Sequence, residues 1–217
     1  MTAAGAARID FISDGPRDAA ATVLLAHGAG APMDTPWMNA IATALAGHGL
    51  SVIRFEFAYM AARRTGGTRK PPPRAERLVH EYRNAIRALG AECRLIIGGK
   101  SMGGRVASMI ADECHAAGLA HGLLCLGYPF HPPGKPASLR TAHLEGLETP
   151  ALVCQGTRDP FGTREAVAGY PLPGTIRFHW LEDGDHDFKP RKASGHTLAG
   201  HIESVADAVA SFAETLG

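Results

Sequence analysis

The sequence predicts an α/β protein organised around a parallel sheet. Apolar runs of strand length alternate with longer stretches of helical period, the pattern left by repeated βαβ units. The clearest run, Ala-Thr-Val-Leu-Leu-Ala at 21–26, is apolar almost throughout rather than at alternate residues, as befits a strand covered on both faces. The chain has 217 residues, 45% hydrophobic and 20% charged, which suits one domain over 1–217 that buries its core without disulfides.

Taken in order, residues 9–12 (Ile-Asp-Phe-Ile) are expected to form an edge strand. Residues 21–26 form the first central strand, running into His27-Gly28. Pro36 opens a helix reaching Ala46, with Ile41 and Leu45 four apart and Gly47 and Gly49 closing it. Residues 50–57 are the next strand, and the basic, Gly/Pro-rich stretch 63–74 reads as a loop. A helix over about 75–89 puts Leu78, Tyr82, Ile86 and Leu89 on one face. Residues 94–97 are a strand, followed by a glycine-rich turn at 98–104 and a helix to about His115. Strands are expected at 123–126, from 151, and at 175–181, and a closing helix at 198–216. The segment 131–150 reads as a loop with a short helix at most, and no stretch is long enough for a cap domain.

Composition narrows the function classes. A formal charge of +1 supplies no field to draw the protein to nucleic acid or to an anionic membrane. No apolar stretch approaches the ~20 residues of a membrane span, and the first eight residues lack the apolar core of a signal peptide. Cys93, Cys114, Cys125 and Cys154 are scattered with no C-x-x-C pair, as in a reducing compartment. A cytoplasmic protein without metal or other cofactor is expected, acting on a small molecule.

The chemistry concentrates at turns after strands. Gly99-Lys100-Ser101-Met102-Gly103 matches G-x-S-x-G, a nucleophile elbow, with an apolar strand before it and a helix after it. The chemistry needs Ser101 on a turn tight enough to lift its Oγ clear of the sheet, and flanking glycines let neighbouring backbone pass without Cβ clashes. The same residues could end a phosphate-binding loop, G-x-x-x-x-G-K-S, but the first glycine of that pattern falls on Arg94.

Asp159 follows a strand end and His186 follows the next, in the order Ser, acid, His. Ligand groups of open parallel sheets gather at those carboxyl ends. Ser101 would then be the nucleophile, His186 its base and Asp159 the residue that orients the imidazole. Backbone N–H groups of Met102 and Ala29 would hold an oxyanion. His27 has no second metal ligand three or four residues on and is expected to shape its loop.

Four segments together carry a family likeness: His27-Gly28-Ala29-Gly30, Gly99-Lys100-Ser101-Met102-Gly103-Gly104-Arg105, 155–162 (Gln-Gly-Thr-Arg-Asp-Pro-Phe-Gly) and Gly184-Asp185-His186. They resemble small, capless α/β-fold hydrolases of the branch whose elbow reads GKSMGGR, with some similarity to dienelactone hydrolases. The resemblance implies the α/β-hydrolase fold: a doubly wound, mostly parallel sheet with helices on both faces and no cap domain. It also implies hydrolysis of an ester or a related acyl bond. Dienelactone hydrolases carry a cysteine nucleophile where this chain has Ser101, so their substrate is not implied. Some eukaryotic relatives serve in larger assemblies, which sets a catalytically silent binding or scaffold protein against the enzyme.

Without a cap the mouth should be open and suited to small or extended acyl substrates. Tyr59, Tyr128 and Phe130, with Trp37 and Met60, are apolar groups near strand ends that could line it. Arg63, Arg64, Arg69 and Lys70 could attract a substrate carboxylate or phosphate, or form a solvated loop.

Overall fold

The computed structural model describes residues 9–66, 71–91 and 93–217, which leaves the first eight residues and Arg69 and Lys70 outside the description. Among the described residues, seven strands form one sheet: β1 (Phe11–Asp14), β2 (Ala21–Ala26), β3 (Ser51–Phe55), β4 (Arg94–Lys100), β5 (Gly122–Leu126), β6 (Ala151–Gly156) and β7 (Ile176–Leu181). Their spatial order is β1-β3-β2-β4-β5-β6-β7. Of these strands, β1 runs antiparallel, pairing Phe11 with Phe55 at the edge, and the other pairs are parallel.

The helices are α1 (Pro36–Gly47), α2 (Ala58–Arg64), α3 (Val79–Leu89), α4 (Met102–Ser108), α5 (Ala111–Ala116), α6 (Arg164–Val167) and α7 (Leu198–Glu214). The pleat sends alternate residues of each strand to opposite faces. On β2, Leu24 and Ala26 join a core built with α3, α4 and α5, whereas Val23 and Leu25 join one built with α1 and α7. Both faces are therefore covered, which explains why β2 and β5 are apolar almost throughout. Thr35 caps α1, accepting from the Met38 amide, with Pro36 in the first turn where a missing N–H costs nothing.

Several boundaries differ from the sequence expectation. β1 is shifted by two residues, from 9–12 to 11–14. The helix expected over 75–89 splits into a 3-10 turn (Ala75–Arg77) and α3, although Leu78, Tyr82 and Ile86 are buried as its face requires. The helix expected to reach His115 breaks at Met109 and Ile110 into α4 and α5. The loop expected from 63 begins after α2, so Arg63 and Arg64 stand on a helix. Arg64 bridges Glu56 and Asp34, and the Arg63 guanidinium lies 5.3 Å from the Tyr59 ring centroid. No helix among the described residues is long and apolar enough to cross a membrane.

α1 and α7 pack side by side, and His48 closes that contact. Its Nδ1 faces the Ala44 carbonyl at 2.9 Å and its Nε2 faces Asp207 Oδ1 at 2.9 Å and Glu203 Oε1 at 3.5 Å. The carbonyl first, then the carboxylates, favour the imidazolium and raise the His48 pKa above 6.5. A raised folded-state pKa gives stability that is present below the unfolded value and lost as pH rises through the folded one. The wild type should therefore exceed His48→Gln in thermal midpoint most at pH values below the ordinary histidine pKa of 6.5, with the gap narrowing as pH rises through the raised folded-state value. A gap that widens with pH would contradict this.

Candidate active site

Parallel strands bring their carboxyl ends to one rim of the sheet, and the sequence-predicted residues collect there. β4 ends at Lys100, and Ser101 turns the chain into α4 with φ 50° and ψ −112°, a conformation that non-glycine residues seldom adopt. The turn is held by the Ser101 amide donating to the Leu126 carbonyl at 2.9 Å. Neighbouring backbone passes close enough to demand glycine. A Cβ on Gly99 or Gly103 would lie 2.4 Å from the Ala26 carbonyl oxygen, and one on Gly104 would lie 2.7 Å from the Gly99 carbonyl oxygen.

The β6 end presents Asp159, fully buried, in a turn that begins just after Gly156. Its Oδ1 accepts from the Phe161 amide at 2.8 Å. Its Oδ2 accepts from Gln155 Nε2 at 2.9 Å and from His186 Nδ1 at 2.7 Å. His186 Nε2 then faces Ser101 Oγ at 2.9 Å. With its Nδ1 proton committed to Asp159, the neutral imidazole leaves Nε2 as an acceptor for the serine hydroxyl. Phe161 covers the imidazole, with ring centroids 4.3 Å apart. The β7 loop reaches this position because Gly156 has no side chain: a Cβ there would lie 2.3 Å from the Gly184 carbonyl oxygen.

The turn after β2 flanks the serine; a Cβ on Gly28 would lie 3.9 Å from Ser101 Cβ. His27 is fully buried, with Nδ1 donating to the Gly28 carbonyl at 2.5 Å and Nε2 accepting from the Phe57 amide at 3.2 Å. Burial lowers its pKa, so it stays a neutral brace within the loop. Tyr59 donates its hydroxyl to the Ala29 carbonyl at 2.9 Å and so fixes the peptide that follows. Of the two expected oxyanion donors, Met102 opens α4 directly after Ser101, and Ala29 lies in the turn after β2, whose Gly28 comes close to Ser101. Among the described residues, no group of three or more potential metal ligands gathers anywhere.

Of the side chains expected to line the mouth, Tyr59 is part-exposed near this rim. Tyr128 and Phe130 are not at an open mouth: each is 1% exposed and lies in the core. Phe130 packs against Tyr128, Tyr170 and Phe178. The segment after them folds back, with the Arg140 amide donating to the Phe130 carbonyl and the Tyr128 hydroxyl to the Arg140 carbonyl. Two contributors went unread in the sequence. Gln155 is fully buried at the end of an apolar strand, where it accepts from the Tyr128 amide and braces Asp159. Lys100 fits both the elbow and the phosphate-loop patterns in the sequence, and in the structure its Nζ reaches the carbonyl of His186.

A family profile described as an α/β hydrolase domain matches residues 19–214. Among solved structures, the dienelactone hydrolase of Anabaena variabilis aligns at a TM-score of 0.72 and 19% identity, over 98% of this chain and 94% of its own. A lidless α/β serine hydrolase of Xanthomonas campestris aligns at 0.67 and 20% identity, over 95% and 88%. An esterase domain from Rhodothermus marinus aligns at 0.67 and 17% identity, over 96% and 99%. At these identities the likeness is one of fold.

Proposed function

The chain belongs to the α/β-hydrolase domain family, matched over residues 19–214, and from that premise we propose that it is a serine hydrolase cleaving a carboxylic ester or a related acyl bond. One observation carries the reading. Ser101 Oγ, His186 Nε2 and Nδ1, and Asp159 Oδ2 form a continuous hydrogen-bonded line with spacings of 2.9 and 2.7 Å.

In this mechanism Ser101 Oγ attacks the substrate carbonyl carbon while its proton passes to His186 Nε2. Asp159 stabilises the imidazolium without taking the proton. The carbonyl oxygen becomes an oxyanion held by the Met102 and Ala29 amides. Collapse of the tetrahedral species expels the alcohol, which takes its proton from His186 and leaves an acyl-serine. Water, deprotonated by the same imidazole, attacks the acyl carbon and releases the acid with Ser101 restored. Gln155 and Phe161 act on the reaction by holding Asp159 and His186. Tyr59 shapes the oxyanion turn through its hydrogen bond to the Ala29 carbonyl.

The presence of a lidless serine hydrolase and an esterase domain among the structural neighbours favours the same chemistry. The test is hydrolysis of p-nitrophenyl acetate, butyrate and octanoate by the purified chain. Saturable release of p-nitrophenol is expected, fastest for the short acyl groups that an uncapped mouth admits. Release no faster than in buffer for all three esters would contradict the proposal.

A further inference from the structure

At residues 186–188 the loop bearing His186 is gripped from outside by three side chains of three different elements. The carbonyls of His186, Asp187 and Phe188 accept from Lys100 Nζ, Trp37 Nε1 (2.9 Å) and His201 Nδ1 (2.6 Å), respectively. Lys100 comes from the end of β4, Trp37 from α1 and His201 from α7. Building on the hydrolase reading above, we propose that these side chains, Lys100 foremost, are positioning residues that clamp this loop and hold the imidazole at Ser101.

The burial of Lys100 argues that it does more than fill space. Its side chain is 9% exposed, and burial lowers its pKa against the opposing pull of Asp187. An ammonium removed from water is costly unless its donors are satisfied. Asp187 Oδ1 lies 3.1 Å away, yet that carboxylate is 69% exposed, so a surface lysine could have met it without burial. The inward position gives Lys100 something else, the His186 carbonyl. The ammonium also lies 5.1 Å from the Trp37 ring centroid and 5.7 Å from that of Phe188, within cation–π range. Gly127 leaves the room required, since a Cβ there would lie 3.0 Å from both Lys100 Nζ and the His186 carbonyl oxygen.

The grip acts on a strained piece of chain. Phe188 has φ 65°, and Asp183, at the start of the loop, has φ 55°. Such residues persist only where the surroundings over-determine them. Lys100 is also the residue immediately before the nucleophile. One short segment, Lys100-Ser101, therefore sets both the attacking hydroxyl and the distance to its base.

The test compares Lys100→Met, which keeps length and volume but donates nothing, and Trp37→Phe with the wild type. Hydrogen exchange of amides in 183–191 should accelerate in both variants while β4 and β5 stay protected. With p-nitrophenyl butyrate, kcat should fall about 10- to 100-fold for Lys100→Met with KM within about twofold, because a misplacement of ~1 Å costs rates of that order. Should Lys100→Met fail to fold, Trp37→Phe carries the test alone, with a severalfold loss of kcat expected. Unchanged exchange in 183–191, or kcat within twofold of wild type in a folded Lys100→Met, would overturn the clamp. Faster loop exchange in a protein with no Ser101-dependent turnover would instead keep the clamp and remove the hydrolase reading.

Discussion

Substituting Ser101 by alanine should lower turnover of a short p-nitrophenyl ester by about 10⁴-fold or more, leaving only what the oxyanion donors and binding supply. The fold should be untouched, since Oγ makes its contact with His186 and the Ser101 amide keeps its bond to Leu126. Ser101→Gly separates the chemistry from the strain. It removes the same hydroxyl, but it also relieves a side chain held at φ 50°. Strain of this kind is worth of order 1–3 kcal/mol, partly offset by the flexibility glycine gains when unfolded. Both variants should therefore be inactive, with the glycine variant more stable than the wild type by about 1 kcal/mol. Denaturant titration of the two inactive proteins distinguishes them. An alanine variant with more than a tenth of wild-type turnover would contradict the role given to Ser101.

Gly103→Ala should produce the largest loss of stability. Alanine is the better helix former by about 1 kcal/mol, and taken alone that would favour the variant. The new Cβ, however, would lie 2.4 Å from the Ala26 carbonyl oxygen and 2.7 Å from that of His27. These are backbone atoms, so no rotamer change relieves the contact, and α4 has to lift off β2. Overpacking of this kind costs about 3 kcal/mol or more when the neighbours cannot yield, and it outweighs the propensity gain. The displacement would also move the Met102 amide, so residual activity should fall in the fraction that remains folded. A denaturation midpoint equal to wild type would show that the elbow is looser than described.

The sequence made most of the sheet legible because β2, β4, β5 and β6 are covered on both faces and so have predominantly apolar centres, with polar residues mostly at their ends. β1 was harder: it is a four-residue edge strand of mixed burial, and nothing local fixed its register against β3. α2 overlaps the loop expected at 63–74 only through Arg63 and Arg64, and its seven residues, which contain no proline or glycine, are too few to show a helical period. The break at Met109 and Ile110 leaves the apolar spacing intact, which hides it from any periodicity argument.

The site divides in the same way. Ser101 sits in a pentapeptide whose glycines have a stated steric purpose, and Asp159 and His186 follow strands in a recognisable order. Tyr128 and Phe130 read as mouth residues because an aromatic after a strand looks alike whether it points inward or outward. Their burial depends on 131–147 folding back, which brings Leu144 and Leu147 into the same core. Gln155 and Lys100 look like polar interruptions at strand ends. Only the arrangement in space shows Gln155 hydrogen-bonded to the Asp159 carboxylate and Lys100 reaching the His186 carbonyl.

The most direct measurement is reaction with a fluorophosphonate followed by mass analysis of the protein and its peptides. A single adduct on Ser101 is expected, absent from Ser101→Ala and much slower to form in His186→Ala, where no base withdraws the hydroxyl proton. Wild-type protein that stays unlabelled at Ser101, or that labels equally well without His186, would contradict the assignment of an activated serine at this elbow.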